Sequence, residues 1–318
     1  LRGDFVDLLL REIDIKLSHY PELSGRPLQT IFFGGGTPSL LTPHELERII
    51  QKLETHFRIA SDCEFTLECN PGTVTLESLS GYKSLGVNRL SFGVQSFDAD
   101  ELKFLGRIHD ANQAREAVSL ARQAGFDNVS IDLIFALPGQ TEEILRHTLA
   151  EAIALETDHI SAYNLIVEHG TPLYRLVQKN TVIELDPDRS ANLFSLVQRT
   201  LADAGFTQYE ISNYAKTPPP FEGEREGVVK RAEHNLVYWD GFKDYVSFGP
   251  SAHEFLNGER AWNVSSLEQY GQKVRTGELP RINHEQLKQD ERRTEVLYLQ
   301  LRSTGVRLRE FEEAFEED

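Results

Sequence analysis

Polar residues stand where successive apolar runs end, and side chains placed that way could anchor a small polar ligand. The first is a glycine turn, Gly34-Gly35-Gly36-Thr37-Pro38-Ser39, directly after the run Gln29-Thr30-Ile31-Phe32-Phe33. Glycines at a strand exit leave the backbone bare, because no Cβ blocks the approach of a ligand. The next three apolar runs carry Glu68, Gln95 and Asp132 at or near their ends. Carboxylates and a carboxamide there could accept from an ammonium or from hydroxyl groups. Each has a plainer structural use, a tight turn or a satisfied backbone group. The recurrence at consecutive strand ends is what points to a site.

The elements that would hold these residues follow from periodicity. Strands are predicted at residues 30–33, 64–68, 89–94, 129–135 and 159–166, recurring every 25 to 40 residues, which is the spacing of βα units in a parallel sheet. Amphipathic helices lie between them. Leu46, Ile49, Ile50, Leu53 and Phe57 share one face, after a start in which Thr42 is the N-cap, Pro43 the first position and Glu45 closes a capping box. Leu76, Leu79 and Leu85 belong to a second helix ending at Gly86, and residues 114–124 to a third ending at Gly125. Thr141 caps a fourth, with Ile144, Leu145, Leu149 and Ile153 inward. Residues 5–17 form a helix ahead of the first strand, so the winding implies one strand before Leu1. With it, six strands would follow one right-handed path, with function at their carboxyl ends.

Beyond Ile166 the pattern changes. A helix is predicted at 186–205, a seventh strand at 207–214 and an exposed loop at 217–229, rich in Pro, Gly and charge. An aromatic, histidine-bearing block spans 234–262, and residues 266–318 read as mostly helical, closing on an acidic run. We divide the chain into a barrel region at 1–183, an extension at 184–283 and a helical segment at 284–318.

Composition limits the class of function. Lys and Arg total 33 against 50 Asp and Glu, a formal net charge of −17, so the chain lacks the basic face of a general nucleic-acid binder. No apolar run approaches the roughly 20 residues of a membrane span, and no secretory signal opens the sequence, which points to the cytoplasm. Of the two cysteines, Cys63 and Cys69, both read as buried reduced thiols in or beside one strand. Methionine is absent altogether.

Five motifs in order carry a resemblance: Gly34-Gly35-Gly36-Thr37-Pro38-Ser39; Glu68-Cys69-Asn70-Pro71-Gly72; Gly93-Val94-Gln95-Ser96-Phe97; Leu105-Gly106-Arg107-Ile108-His109; and Ile131-Asp132-Leu133 with Leu137-Pro138-Gly139-Gln140-Thr141. Together they resemble the radical S-adenosylmethionine proteins related to oxygen-independent coproporphyrinogen III oxidase, most closely the HemW type. His234-Asn235-Leu236-Val237-Tyr238-Trp239 and Phe248-Gly249-Pro250-Ser251-Ala252-His253 point the same way, so the resemblance covers nearly the whole chain. It implies an α/β fold, a partial (β/α)6 TIM-type barrel with its first strand missing here and an α+β extension behind it. It also implies S-adenosylmethionine held against a [4Fe-4S] cluster.

By that resemblance, Gly35, Gly36 and Thr37 meet the amino acid end of S-adenosylmethionine. Glu68, Gln95 and Asp132 take its ammonium or ribose hydroxyls, Arg107 its carboxylate, and Ile166 lies along the adenine. The cluster ligands of the family, Cys-x3-Cys-x2-Cys, are not in this sequence and are expected before Leu1. His234, with Tyr238 and Trp239 beside it, could ligate a heme iron against an aromatic surface. Its plainer use is a hydrogen-bonded histidine among core aromatics, as for His109 and His253.

The function implied is a heme chaperone that passes heme to acceptor proteins. An oxidase decarboxylating coproporphyrinogen III is the alternative, and a barrel that binds an adenosyl ligand without chemistry is a third. The two cysteines supply too few thiolates for a cluster. Iron and sulfide reconstitution of the 318-residue chain should therefore give no visible charge-transfer absorption, and a stoichiometric cluster would overturn that assignment.

Overall fold

The computed structural model describes residues 2–217 and 229–315. In chain order the elements are α1 (Arg2–His19), β1 (Pro27–Phe33), α2 (Pro43–Glu54), β2 (Arg58–Cys69), α3 (Leu76–Ser84), β3 (Arg89–Gln95), α4 (Ala99–Phe104), α5 (Ala111–Gln123), β4 (Asn128–Phe135), α6 (Glu142–Ala154) and β5 (His159–Asn164). After these come α7 (Pro172–Gln178), α8 (Pro187–Asp203), β6 (Phe206–Gln208) and β7 (Asn213–Lys216). The last group is α9 (Glu233–Asp240), β8 (His253–Leu256), β9 (Glu259–Asn263), α10 (Leu267–Thr276), β10 (Arg281–Gln286), α11 (Gln289–Leu301) and α12 (Leu308–Phe315). One sheet has the order β1-β2-β3-β4-β5-β7-β6 and a second the order β10-β9-β8.

The chain forms two compact units. One contains residues 33–40 and 65–231, the other 1–32, 41–64 and 232–318. In the first unit β2, β3, β4 and β5 pair in parallel, each followed by helix, as the βα spacing requires. Leu90, Phe92 and Val94 alternate with Arg89, Ser91 and Gly93 along β3, and the apolar set is fully buried. Val129, Ile131, Leu133 and Phe135 do the same in β4. Helix starts are fixed by side chains: Asp110 accepts from the Gln113 amide and Thr141 from that of Ile144.

Three expectations need correction. The strand foreseen at 207–214 is two short antiparallel strands, because the Glu210 carboxylate takes the Ser212 amide at 3.1 Å and turns the chain. Strand β5 stops at Asn164, leaving Ile166 outside the sheet. The tail is mostly helical as expected, in α10, α11 and α12, but it also holds an unforeseen strand, β10, which pairs with β9 through five residue pairs. Most of the loop foreseen at 217–229, and the end of the acidic run, lie outside the described residues.

In the second unit, Thr42 accepts from the Glu45 amide while Glu45 takes that of Thr42, completing the foreseen capping box of α2. Leu46, Ile49, Ile50 and Leu53 are buried along it. Helix α1 buries two charged groups, Glu12 and Lys16. Lys16 Nζ donates to Glu254 at 2.6 Å and to the Ser247 carbonyl at 2.5 Å. Glu12 receives the Gly249 amide, the Asn263 carboxamide and the Tyr270 hydroxyl, each at 2.7 Å. Arg281 also donates to Glu254.

A buried ion loses its solvation, so deleting its partner costs more than the pair itself contributes. Lys16→Met removes the cation that lies 3.9 Å from Glu12 and 2.6 Å from Glu254 and should lower the unfolding free energy by roughly 3–5 kcal/mol. Arg309→Ala, from an exposed pair with Glu313, should move the urea midpoint little. Equal effects would show that the buried network carries no special weight.

Candidate functional site

Strand alternation in the first unit sorts side chains onto two faces. One face packs in the apolar core; the other carries Thr66, Glu68, Arg89, Ser91, Ser130, Asp132, His159 and Ser161. Parallel strands usually bury apolar residues on both faces, so a polar face within such a sheet marks a place for a ligand. Register lines the groups up: Glu68 is level with Ser91, Ser91 with Ser130, and Ser130 with His159. Asp132 is level with Ser161.

Glu68 and Asp132 are half-buried, whereas Arg89 and His159 are fully buried beneath them. The Gly35 amide donates to Glu68 Oε2 at 2.9 Å, which ties the glycine turn to the neighbouring strand end. Ser91 donates to both Asp132 oxygens, at 3.1 and 3.3 Å. Arg89 Nη2 and Ser130 Oγ lie 3.4 and 2.7 Å from His159 Nδ1. Since a guanidinium can only donate, Nδ1 accepts and Nε2–H is left for the Tyr209 hydroxyl at 2.7 Å. The Nε atoms of Arg89 and Arg107 are buried without a partner.

Burial raises the Asp132 pKa, opposed by the Ser161 hydrogen bond, Arg89, Ser91 and Arg107. Burial and then the Asp132 charge raise that of Glu68, opposed by the Gly35 amide and Arg89. Desolvation lowers the Arg107 pKa, and Asp132 counters it. His159 is held neutral by burial, reinforced by Arg89. Two carboxyls and Arg89 thus share one face, with the Arg107 guanidinium close enough to feel Asp132, and an incoming ammonium can claim the acids.

The sequence candidates fall as follows. Gly35 and Gly36 adopt φ of 71° and 60°, with open space where a Cβ would sit. Thr37 is half-buried, its carbonyl taking the Leu40 amide. Gln95 closes β3 at φ 69°, where the register with β4 shifts. Its carboxamide folds back so far that a Cβ on Gly93 would lie 2.8 Å from Nε2. Ile166 is 73% exposed, outside the cluster formed by Gly35, Glu68 and Asp132. His109 is buried, its Nε2 3.0 Å from the Val94 carbonyl, a structural placement; His253 stacks on Trp262. Sequence reasoning missed Arg89, Ser91, Ser130, His159 and Ser161. Their signal was the polar alternation within three consecutive apolar strands.

His234 belongs to the other compact unit and has a site of its own. It opens α9, whose N-cap, Ala232, offers no capping side chain. Glu64 from β2 does that work, its oxygens accepting the Glu233 and His234 amides at 3.0 Å each. The imidazole stacks on Phe32, with centroids 4.7 Å apart and planes 10° off parallel. Its Nδ1 is 2.8 Å from Thr30 Oγ1 and its Nε2 2.9 Å from the Tyr238 hydroxyl. A half-buried imidazole among aromatic faces is a donor set suited to a flat metalloporphyrin.

The cysteines do not fit an iron-sulfur cluster. Cys63 and Cys69 are buried and not disulfide-linked, their thiols lying near the carbonyls of Glu64 and Leu67. Burial, then Glu64 and Asp62, pushes the Cys63 thiol up to about 11, and burial, then Glu68, raises that of Cys69. Both stay protonated, and among the described residues no group of three His, Cys, Asp or Glu could hold a metal.

The chain is similar to known proteins over most of its length. The profile of the radical SAM superfamily matches residues 2–152. The heme chaperone HemW of Bacillus subtilis (strain 168) is 35% identical over 313 residues, spanning 98% of this chain and 79% of that protein. Its counterpart from Lactococcus lactis subsp. lactis (strain IL1403) is 33% identical over 304 residues, spanning 95% and 76%. Among solved structures, coproporphyrinogen III oxidase (HemN) from Escherichia coli, a radical SAM enzyme, superposes with a TM-score of 0.80. At 23% identity, covering 98% of this chain and 71% of that one, it shares the fold. No described helix is long and apolar enough to cross a membrane.

The raised carboxyls give a signed pH dependence. The folded chain retains protons on Glu68 and Asp132 that the unfolded chain releases, so this contribution is complete below the ordinary carboxyl pKa and lost as pH rises through the raised values. Between about pH 5 and about pH 8 the melting temperature of wild type should fall more than that of Asp132→Asn. The opposite ordering in a thermal melt series would refute the assignment.

Proposed function

This chain belongs to the HemW family of the radical SAM superfamily, and on that footing we propose that it binds heme and passes it to acceptor proteins. The observation that carries the proposal is His234: an imidazole stacked on Phe32, edge-on to Tyr238, at the start of a helix whose first amides are held by Glu64. Aromatic faces exclude water from a porphyrin plane while the imidazole offers a ligand to its iron.

The radical SAM side of the chain is a separate site. Glu68 and Asp132 accept from the ammonium of S-adenosylmethionine, and Arg107, with its buried unpaired Nε, meets the carboxylate. Bare backbone at Gly35 and Gly36 and the half-buried Thr37 admit the amino acid end. Gln95 reaches a ribose hydroxyl, and Ile166 covers the adenine. When bound with a [4Fe-4S] cluster this cofactor supplies reductive cleavage of its sulfonium. The acceptors are heme-dependent proteins of the cytoplasm, a placement supported by two buried thiols that are not disulfide-linked.

Heme titration followed by Soret spectra tests the assignment. Wild type should give a histidine-ligated spectrum, and His234→Ala should bind about tenfold more weakly or worse, with a displaced Soret band. Acidification should weaken wild type, since only neutral imidazole ligates, and the variant should lose that dependence. An unchanged band and affinity in His234→Ala would remove this residue from the site. If wild type binds no heme, decarboxylation of coproporphyrinogen III by the cluster-loaded protein becomes the activity to assay.

A further inference from the structure

The His234 ring has hydroxyl neighbours on opposite nitrogens, and the two differ in their ability to leave. Thr30 Oγ1, 2.8 Å from Nδ1, is half-buried in strand β1. The Tyr238 hydroxyl, 2.9 Å from Nε2, belongs to a side chain that is 44% exposed, one helical turn further along α9. The ring itself cannot follow Tyr238 outward. Its backbone amide is held by Glu64 Oε1 at 3.0 Å and its face by Phe32.

From this asymmetry we infer that Thr30 fixes the tautomer of His234 and that Tyr238 is a displaceable cover over the nitrogen that takes heme iron. This rests on the heme-binding proposal above. A neutral imidazole has one N–H and one lone pair. With Nδ1–H donating to Thr30 Oγ1, the lone pair stands on Nε2 and the Tyr238 hydroxyl donates to it. Rotation of the exposed tyrosine then uncovers a lone pair that already faces outward, and no proton has to move. The opposite tautomer would turn the lone pair toward strand β1. Tyr238 rests edge-on against Tyr245, with centroids 5.0 Å apart, so the covered state is held by packing as well as by the hydroxyl. Thr30 is a positioning residue in this scheme.

The two neighbours should therefore act in opposite directions, which a general loss of packing would not produce. In heme titrations of the whole chain, Tyr238→Phe keeps the ring, removes the donated hydrogen bond and should tighten binding about fivefold. Thr30→Val should weaken it by a similar factor, and Thr30→Ser should restore it. Long-range proton–nitrogen spectra of the heme-free chain give a second readout: wild type and Tyr238→Phe should carry the proton on Nδ1 of His234. Unchanged or weaker heme binding by Tyr238→Phe, or a proton found on Nε2, overturns the inference. If wild type shows histidine ligation that His234→Ala abolishes, such a result removes the inference alone. If wild type shows no histidine ligation, the heme reading fails and the inference with it.

Discussion

The charge balance on the polar face of the parallel strands is the constraint on which the first compact unit depends. Glu68 on β2 and Asp132 on β4 lie on the same face with Ser91 of β3 between them, where burial favours their neutral forms. Arg89 sits fully buried beneath them, and Arg107 is near enough for Asp132 to oppose its loss of charge. None of the four would be tolerated alone, since each ion would forfeit hydration without return. As a set they hold opposite charges close together in a partly buried setting, at a cost in stability that each ion's neighbours reduce. The serines at 91, 130 and 161 supply hydroxyls that can turn to donate or accept as the charges demand.

Much of this architecture was legible in the sequence because it is written in short-range patterns. The capping box at Thr42 and Glu45, the caps at Asp110 and Thr141, and the βα period all depend on residues within a few positions of one another. The polar face was only half legible. Strand ends betrayed Glu68, Gln95 and Asp132, but Arg89 and His159 lie at strand starts, where a charged residue looks like a boundary. Their burial depends on register across β3, β4 and β5, a long-range property that local pattern does not encode. The break at Tyr209 to Ser212 was missed for a similar reason: a glutamate folding onto its own backbone, with no glycine or proline to announce a turn.

The His234 site shows the same division between local and distant information. The spacing of His234 and Tyr238 is visible as one helical turn, but their partners Thr30, Phe32 and Glu64 lie 170 or more residues earlier in the chain. A motif of six residues therefore acquires its chemistry from two strands that it does not resemble. Glu64 in particular substitutes for a missing capping residue, so a single carboxylate sets where the helix begins and how its histidine is presented.

Helix α1 has a consequence for how the polypeptide matures. Its two buried charges find their partners at Gly249, Glu254, Asn263 and Tyr270, more than 230 positions downstream. During synthesis this helix leaves the ribosome before those partners exist, and its lysine and glutamate cannot be satisfied until more than 230 further residues have followed. At about 5–20 residues per second that interval is more than ten seconds. The nascent chain thus carries two charges that stay in water until β8, β9 and α10 have been made.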